Sequence, residues 1–310
     1  MISIAMATYN GEKFLREQMD SILVQTIHDF ELIICDDCST DSTAQILRDY
    51  EKNDSRIKVF VNEENLGFKK NFEKAIGLCS GDYIALSDQD DIWLPEHLES
   101  LFNSIEGNSM SVANARLIDT NGNEFLDVNL MQYEKFERIY SSPEIMYGLM
   151  FYKNPFFGSN SMYRKGVFDK ALPMPNGISY HDVWFAICSA CLDGIAYIDI
   201  PVTKHRFTGN NVSGNHKWRL FEKKNFLKRF FHPMKTDRLI YCDEIFKRFP
   251  NIANDIRKII EETNVYYESR IRREKRFKNA FYLIRHYKQI YYMNSYRYIF
   301  FRVFGILLRG

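Results

Sequence analysis

The strongest constraint on the fold is a regular alternation of apolar runs and helical periodicity between residues 2 and 105. The short apolar runs predict four strands, at Ile2–Met6, Glu31–Cys35, Arg56–Val61 and Asp82–Ser87. The segments between and after them predict four helices, at Glu12–Gln25, Thr40–Glu51, Phe68–Leu78 and Pro95–Ile105. Strands that alternate with helices of this length form a parallel sheet with right-handed crossovers. The sequence therefore predicts an α/β fold.

Polar residues cluster directly after three of these predicted strands. The clusters are Thr8–Gly11, Asp36–Ser39 and Asp88–Asp91. Open parallel sheets bind their ligands outside the carboxyl ends of the strands. We therefore expect the three clusters to meet at one ligand-binding edge.

Beyond residue 108 the pattern loosens. Met110–Ile118, Phe156–Arg164 and Ala196–Ile200 predict further strands, and Asp182–Asp193 predicts a helix. From Trp218 onward the chain has the pattern of basic, aromatic helices.

The formal net charge of +1 hides a strong asymmetry. Residues 1–216 hold 18 Lys and Arg against 31 Asp and Glu, a net −13, whereas residues 217–310 hold 23 against 9, a net +14. This indicates an anionic partner for the C-terminal part. No run reaches the roughly 18 apolar residues of a spanning helix. The N-terminus reads as a buried strand and not as a signal peptide, so we expect a cytoplasmic protein.

Six cysteines include two CxxC pairs, Cys35/Cys38 and Cys188/Cys191. A zinc site built from both pairs is one interpretation. The favoured interpretation is free, reduced thiols, because the first pair spans a strand and an acidic turn and the second lies on a predicted buried helix.

The acidic segment Asp88–Asp91 carries the strongest chemical signal. Clustered carboxylates are electrostatically costly unless a cation joins them, and Mg²⁺ or Mn²⁺ prefers such oxygen ligands. Alternate residues of an extended segment point the same way, so Asp88 and Asp90 can face one ligand. The alternative is a solvated acidic turn that caps the helix near Pro95.

Three other groups of residues have both a structural and a functional interpretation. Asp36-Asp37 either belongs to a helix cap or accepts hydrogen bonds from a nucleotide on which Tyr9 stacks. Asp182 either caps a helix or acts as a general base. The basic segment Lys204–Arg206, with the loop to Gly214, is either an exposed loop or closes over a diphosphate.

These motifs, in this order, resemble the family 2 glycosyltransferases of the GT-A fold. The residues that carry the resemblance are Ala7–Gly11, Asp36–Ser39, Asn65–Gly67, Asp88–Asp90 and Asp182. The resemblance implies a mostly parallel, Rossmann-like sheet flanked by helices. It implies a GT-A catalytic domain over residues 1–215, with a nucleotide-binding half to about 108 and an acceptor half after it. A helical, basic C-terminal region, 216–310, follows.

More narrowly, Ser87–Trp93, His181-Asp182 and Gly209–Gly214 look like the rhamnosyltransferase-like branch. That branch implies an inverting, metal-dependent transferase that uses dTDP-rhamnose in bacterial wall, capsule or O-antigen synthesis. UDP-linked galactose, glucose or N-acetylglucosamine stay open as donors, and the acceptor would be lipid-linked or a polysaccharide. Branch members carry a Tyr-Arg-Gln-His run where this chain has His205–Thr208. Thr208 therefore replaces a histidine, for which His205 is a possible substitute.

The resemblance also assigns roles to single residues. The implied donor-nucleotide contacts are Ala7, Tyr9, Asp37, Asn65, Asn71, Asp88 and Arg206. Asp90, together with Asp88, would hold the Mg²⁺ or Mn²⁺ that bridges the two phosphates. Asp182 matches the catalytic base, which would deprotonate the acceptor hydroxyl.

The C-terminal residues 270–310 mix cationic and aromatic side chains. This composition suits an anionic membrane surface, and we expect peripheral attachment at the inner face of the cell membrane. The alternative is a helical subdomain whose rings pack internally. RNA binding would fit the composition, but no nucleic-acid motif accompanies it, so we expect no nucleic-acid partner. A homodimer stays open.

Three other functions remain as rivals. A nucleotidyltransferase would usually carry a Gly-rich phosphate loop where this chain has Ala7–Gly11. A catalytically silent binding module is expected to lack the metal-binding acid or the base, yet Asp90 and Asp182 are present. A membrane scaffold would need only the basic half of the chain.

Overall fold

The computed structural model describes residues 1–130, 142–151, 154, 156–208, 237–272, 274, 276–286, 303 and 306. The chain divides into two compact units. The first comprises residues 1–134, 154–176 and 180–206, and the second comprises 135–153, 177–179 and 207–310. The predicted domain boundary near residue 215 lies outside the described residues.

The described part of the first unit contains one nine-stranded sheet. Its strands are β1 (Ile2–Thr8), β2 (Phe30–Asp36), β3 (Ile57–Val61), β4 (Tyr83–Ser87), β5 (Ile92–Trp93), β6 (Met110–Ile118), β7 (Glu124–Asn129), β8 (Ser161–Arg164) and β9 (Ile195–Arg206). The strand order is β3-β2-β1-β4-β8-β6-β9-β5, and β7 pairs with β6 off this path.

Strands β1 to β4 form the parallel part of the sheet that the sequence predicts. β1 lies between β2 and β4, and β2 also pairs with β3. The other side of the sheet is mixed, because β8 runs antiparallel to both β4 and β6, whereas β6 and β9 are parallel. The predicted α/β fold class is confirmed.

Ten α-helices lie within the described residues. They are α1 (Leu15–Leu23), α2 (Thr43–Asn53), α3 (Phe68–Leu78), α4 (His97–Ser104), α5 (Ser142–Phe151), α6 (Lys165–Ala171), α7 (His181–Cys191), α8 (Asp237–Arg248), α9 (Asn254–Ile271) and α10 (Arg276–Arg285). Helices α5 and α8 to α10 belong to the second unit. Helices α8 to α10 form the helical C-terminal extension that the sequence predicts, whereas α5 comes from a segment before it.

The core of the first unit lies on the parallel strands. Ile4 and Leu32 are fully buried on neighbouring strands, and Leu15, Met19 and Leu98 cover them from α1 and α4. Burying a side chain of this size contributes about 1.5–3 kcal/mol. This packing fixes the carboxyl ends of β1, β2 and β4 beside one another, where the polar clusters follow.

Two predicted strands differ from the observed ones. The first part of Phe156–Arg164 is irregular and includes a short 3₁₀ turn, Gly158–Asn160, before β8 begins. A side chain at Gly158 would crowd His181, since an added Cβ would lie 3.2 Å from the ring nitrogen Nε2. The strand predicted at Ala196–Ile200 continues as β9 to Arg206, so Lys204–Arg206 lie in a strand and not in a loop.

The second unit packs aromatic side chains between its helices. Phe151 of α5 contacts the rings of Tyr266, Tyr267 and Tyr282 on α9 and α10. The Tyr267 hydroxyl donates to the carbonyl of Met150. Within the described ranges, no helix has the length and apolar character needed to cross a membrane.

Candidate active site

The acidic turn Asp88–Asp91 connects β4 to the short strand β5 at the carboxyl edge of the sheet. Asp88 and Asp90 are half-buried, whereas Asp91 is fully buried. Burial, followed by the charges of Asp91 and Asp90, raises the pKa of Asp88 to about 8. Burial and then Asp91 raise the pKa of Asp90 to about 6. The turn therefore concentrates more negative charge than its surroundings neutralise.

Asp91 is the exception, because it has a cationic partner. His205 Nδ1 lies 2.9 Å from Asp91 Oδ1, and the backbone N–H of Arg206 donates to the same oxygen. Burial alone would raise the pKa of Asp91, but the His205 imidazolium holds it below its usual value. Burial disfavours that imidazolium, yet Asp91 raises the pKa of His205 to about 9. His205 Nδ1 is thus engaged by Asp91, and whether this residue substitutes for the branch histidine stays open.

The two half-buried acids fit a hard divalent cation. Their carboxylate oxygens are the ligands that Mg²⁺ and Mn²⁺ prefer, and a bound cation would offset the burial and the charge of Asp91 that raise both pKa values. Two carboxylates leave coordination positions for phosphate oxygens, as Mg²⁺ commonly uses. Among the residues that the structure describes, no group of three or more His, Cys, Asp or Glu side chains is placed to hold a metal.

Arg206 is used for hydrogen bonds within the protein. It is fully buried, and its guanidinium donates to the carbonyls of Asp90 and Asp119 and to the carboxylate of Glu17. The ring of Phe14 lies under the guanidinium, 4.5 Å from it. Arg206 therefore fixes the backbone of the acidic turn, and its contact with the donor nucleotide stays a prediction.

Tyr9 and Ala7 lie at the carboxyl end of β1, as the sequence predicts. Ala7 is half-buried, and the Tyr9 ring is 47% exposed, which leaves a face for a base to stack on. The backbone N–H of Tyr9 donates to Gln89 Oε1 at 2.8 Å, and Gln89 Nε2 donates to the carbonyl of Tyr9 at 3.0 Å. A methyl group on Gly11 would overlap the same Gln89 amide. Gln89 thus joins the first polar cluster to the acidic turn.

The second cluster is held by the segment that follows β3. Asp37 is 2% exposed, and its carboxylate accepts hydrogen bonds from the Asn62 amide and from the backbone N–H groups of Leu66 and Gly67. Asn65 is exposed beside it and donates to the Asp37 carbonyl. Asp37 therefore positions the 62–67 segment, and contacts of Asp37 and Asn65 with the donor stay predictions.

Asn71 is buried beside the end of β2. Its amide is 1% exposed, donates to the Cys35 carbonyl at 2.7 Å and accepts from Asn62. Asn71 thus holds the end of β2, and its contact with the donor nucleotide stays a prediction.

Asp182 lies in the first turn of α7, where the helix dipole stabilises a carboxylate. Its oxygen accepts the backbone N–H of Val183. The charge of Asp182 is among those that raise the pKa of Asp88, and it also contributes to the raised pKa of the buried Tyr163, after burial. Asp182 and the acidic turn therefore share one electrostatic environment, although 94 positions separate Asp88 from Asp182.

Within the part of the chain that the structure describes, no three cysteines cluster as metal ligands would. All six thiols are free, as predicted, and burial raises the pKa of Cys35 to about 11 and that of Cys191 to about 12. Thr208 lies at the end of the described segment, and the predicted phosphate-closing loop Gly209–Gly214 lies outside the described residues.

The sequence analysis missed two contacts. Gln89 lies between Asp88 and Asp90 in the acidic motif. Because successive side chains of an extended segment point to opposite sides, Gln89 is expected to point away from the metal-binding side and toward another element. The Asp91–His205 pair joins residues 114 positions apart, and no local pattern encodes it.

The chain is similar in sequence to known glycosyltransferases. Residues 3–172 match the family model described as "Glycosyl transferase family 2". An uncharacterized glycosyltransferase of Methanocaldococcus jannaschii is 38% identical over 144 residues, which cover 45% of this chain and 49% of that protein. The chain thus spans about half the length of that relative. The O-antigen biosynthesis glycosyltransferase WbnJ of Escherichia coli is 31% identical over 199 residues, which cover 62% of this chain and 73% of that protein.

Solved structures share the fold at low identity. Residues 1–349 of Staphylococcus aureus TarS, in complex with UDP-GlcNAc, align with a TM-score of 0.60 and 20% identity, covering 86% of this chain and 72% of that one. The mannosyltransferase PcManGT from Pyrobaculum calidifontis, in complex with GDP-Man and Mn²⁺, aligns with a TM-score of 0.58 and 14% identity, covering 99% and 84%. Both similarities confirm the GT-A fold.

Proposed function

This chain belongs to glycosyl transferase family 2, and from that premise we propose that it transfers a sugar from a nucleoside diphosphate donor to an acceptor hydroxyl. The proposed transfer is one direct displacement that inverts the anomeric configuration. The observation that carries the proposal is the convergence of Asp88 and Asp90 at one sheet edge, with the charge of Asp182 acting on the same site.

The donor-binding half of the site uses the two loops that Gln89 joins. The exposed Tyr9 ring would stack on the base, and the Ala7 backbone beside it would line the nucleoside. Asp88 and Asp90 would hold Mg²⁺ or Mn²⁺. When bound, such a cation supplies Lewis-acid stabilisation of the negative charge on the diphosphate leaving group. A fold neighbour solved with GDP-Man and Mn²⁺ supports this part of the proposal.

Asp182 would act on the acceptor. A carboxylate in the first turn of a helix stays ionised because the helix dipole favours the anion, so it can accept the proton of an attacking hydroxyl. A placed general base typically contributes about 10²–10⁴-fold to the rate.

The donor is proposed at two levels. The sequence motifs resemble the rhamnosyltransferase-like branch, so dTDP-rhamnose is the first choice. UDP-linked galactose, glucose or N-acetylglucosamine is the second, and the fold neighbour in complex with UDP-GlcNAc favours it. A relative named for O-antigen biosynthesis supports a lipid-linked or polysaccharide acceptor in bacterial surface glycan synthesis. Such an acceptor implies peripheral attachment to the inner face of the cell membrane.

The test is donor turnover. The purified chain is incubated with an isolated lipid-linked or polysaccharide acceptor and with dTDP-rhamnose, UDP-sugars or GDP-mannose, each with Mn²⁺ or with chelator, and released nucleoside diphosphate is measured. We expect one donor to be turned over only with the metal, and the product anomer, read by NMR, to be inverted. A silent binding module would bind a donor without releasing diphosphate, and a retained anomer would contradict the single displacement.

A further inference from the structure

Helix α10 carries apolar side chains on a face that points to solvent. Phe277, Phe281 and Ile284 are spaced four and three residues apart, so they form one stripe along the helix. Their exposed fractions are 81%, 64% and 48%. We refer to these three side chains as the outer stripe.

The outer stripe is separate from the face by which α10 packs in its unit. Ala280 and Leu283 are buried, and the Asn279 amide accepts a hydrogen bond from the Ser269 hydroxyl of α9. Single exposed apolar residues are ordinary, but a contiguous exposed patch marks an interaction surface. The outer stripe is therefore not needed to hold α10 in place.

A groove runs beside the stripe, between α9 and α10. Its volume is about 730 Å³, and Phe277 and Phe281 line it together with Val265 of α9, which is 55% exposed. Lys278 and Arg285 lie along the same groove. Apolar surface with cationic side chains beside it continues from the stripe into the groove.

The sequence segment that contains the stripe is rich in basic residues. Residues 270–286 contain seven Lys and Arg but one acid, Glu274. On α9, Glu261 and Glu262 also line the groove. Glu262 accepts hydrogen bonds from the hydroxyls of Tyr147 and Tyr282, at 3.0 and 2.9 Å. Its carboxylate is therefore partly neutralised by contacts within the unit.

We propose that the outer stripe docks the protein on an anionic lipid bilayer. Phe277, Phe281 and Ile284 would enter the boundary between headgroups and acyl chains, and Lys278 and Arg285 would contact the anionic headgroups. Helices that lie in a membrane interface combine such an apolar face with cationic flanks. The charge complementarity selects an anionic bilayer over a neutral one, since each basic side chain near the surface adds to the attraction.

This inference deepens the proposed function by naming the surface that would meet the membrane. The chemistry and the docking use different residues, because the outer stripe lies in the second unit and the acidic turn lies in the first. The two can therefore fail separately.

The test is vesicle flotation of the full chain. Wild type is mixed with vesicles of phosphatidylglycerol and phosphatidylethanolamine, or of phosphatidylcholine alone, at low and at high salt. We expect flotation with the anionic vesicles at low salt and its loss at high salt. The triple variant Phe277→Ser/Phe281→Ser/Ile284→Ser should lower the fraction bound by about ten-fold or more, since it removes the apolar part of the attachment.

Two further variants complete the design. Lys278→Gln/Arg285→Gln should weaken flotation and flatten its salt dependence. The matched control is Val24→Ser/Ile200→Ser, which changes two apolar residues of the first unit that are 63% and 60% exposed, and it should float as wild type does. Circular dichroism and melting temperature check that each variant is folded.

Several outcomes would overturn the docking surface. One is wild type that stays in the pellet fraction with anionic vesicles at low salt. Another is a folded triple variant that floats as well as wild type. A third is a dimer of wild type, seen by light scattering, that the triple variant converts to monomer while flotation is unchanged, which would make the stripe a self-association surface. Donor turnover measured without vesicles should be the same in wild type and in the triple variant. If wild type turned over no donor but still floated, the result would count against the proposed function alone.

Discussion

The side-chain amide of Gln89 is hydrogen-bonded in both directions to the backbone of Tyr9. The Tyr9 N–H donates to Oε1 at 2.8 Å, and Nε2 donates to the Tyr9 carbonyl at 3.0 Å. This pairing ties an exposed ring to the turn that carries Asp88 and Asp90. In a transferase it would hold the base site and the diphosphate site at a fixed separation.

Gln89→Ala should weaken donor binding by about ten-fold, because two neutral hydrogen bonds of about 0.5–1.5 kcal/mol each no longer fix Tyr9. The KM for the donor should rise more than kcat falls. Calorimetric titration with the nucleoside diphosphate measures the binding change. Gln45→Ala is the control, since it removes another exposed amide, bonded to Asp49 on α2.

Gly11→Ala should act through the same contact. The added methyl group would displace the Gln89 amide, so the variant should lose donor affinity in a wild-type background and lose little more in a Gln89→Ala background. Additive losses in that double-mutant cycle would mean that Gly11 acts independently of Gln89.

Asp182→Asn should lower kcat by about 10²–10⁴-fold, because the amide cannot accept the acceptor proton. Donor affinity should change by less than about two-fold, since the proposed role concerns the acceptor. Steady-state turnover and titration with the nucleoside diphosphate measure the two quantities. Near-normal turnover would remove Asp182 from the role of base.

Arg206→Gln should lower the free energy of unfolding by about 1–3 kcal/mol, because it leaves the partly buried carbonyls of Asp90 and Asp119 without their donor. Glu17→Gln should cost under about 1 kcal/mol, since that carboxylate is half exposed. Urea denaturation compares the two variants. If Arg206→Gln unfolded like wild type but bound the donor weakly, the result would contradict this structural role and support the predicted donor contact.

Glu31 should make stability depend on acid pH. Burial alone would raise the pKa of Glu31, but hydrogen bonds from Ser80, Ser3 and Lys58 lower it from 4.5 to about 2. Because the folded pKa is the lower one, this stabilisation is complete above about pH 4.5 and is lost as the pH falls through 2. It amounts to at most about 3 kcal/mol.

Thermal melts of wild type and Glu31→Gln measure that dependence. The difference in stability should be constant above about pH 5 and should shrink below it. Glu73→Gln, which changes an acid with one backbone partner at Met174, is the comparison. A difference that grew toward acid pH would contradict the direction of the shift.

The parallel half of the fold is readable from sequence because β1, β2 and β4 are nearly continuous buried runs, whereas β3 is only partly buried. The predicted helix Phe68–Leu78 has the observed bounds, and the predicted strands of this half agree with β1 to β4 within about two residues. The mixed half is harder. β5 has two residues, Ile92 and Trp93, and is defined only by its pairing with Thr203 and Lys204 of β9.

The site is only partly readable for the same reason. The spacing of residues after β4 identifies Asp88 and Asp90 as candidate ligands. Sequence spacing does not distinguish a buried polar residue from one that binds a ligand. Arg206 and Asn71 carry the residue types of a binding site and yet are used by the fold, through contacts with Glu17, with the Cys35 carbonyl and with the acidic turn. Such long-range partners appear only when the strands are assembled.

The most direct test of whether Asp88 and Asp90 bind a cation together with a diphosphate is to measure how nucleotide affinity depends on the metal. UDP, dTDP and GDP are titrated by calorimetry into wild type and Asp90→Ala, with Mn²⁺ and with chelator. We expect at least one nucleotide to bind wild type about ten-fold or more tightly with Mn²⁺, and Asp90→Ala to lose that gain. Equal affinity with and without Mn²⁺ for all three nucleotides, or an undiminished gain in Asp90→Ala, would contradict the proposed site.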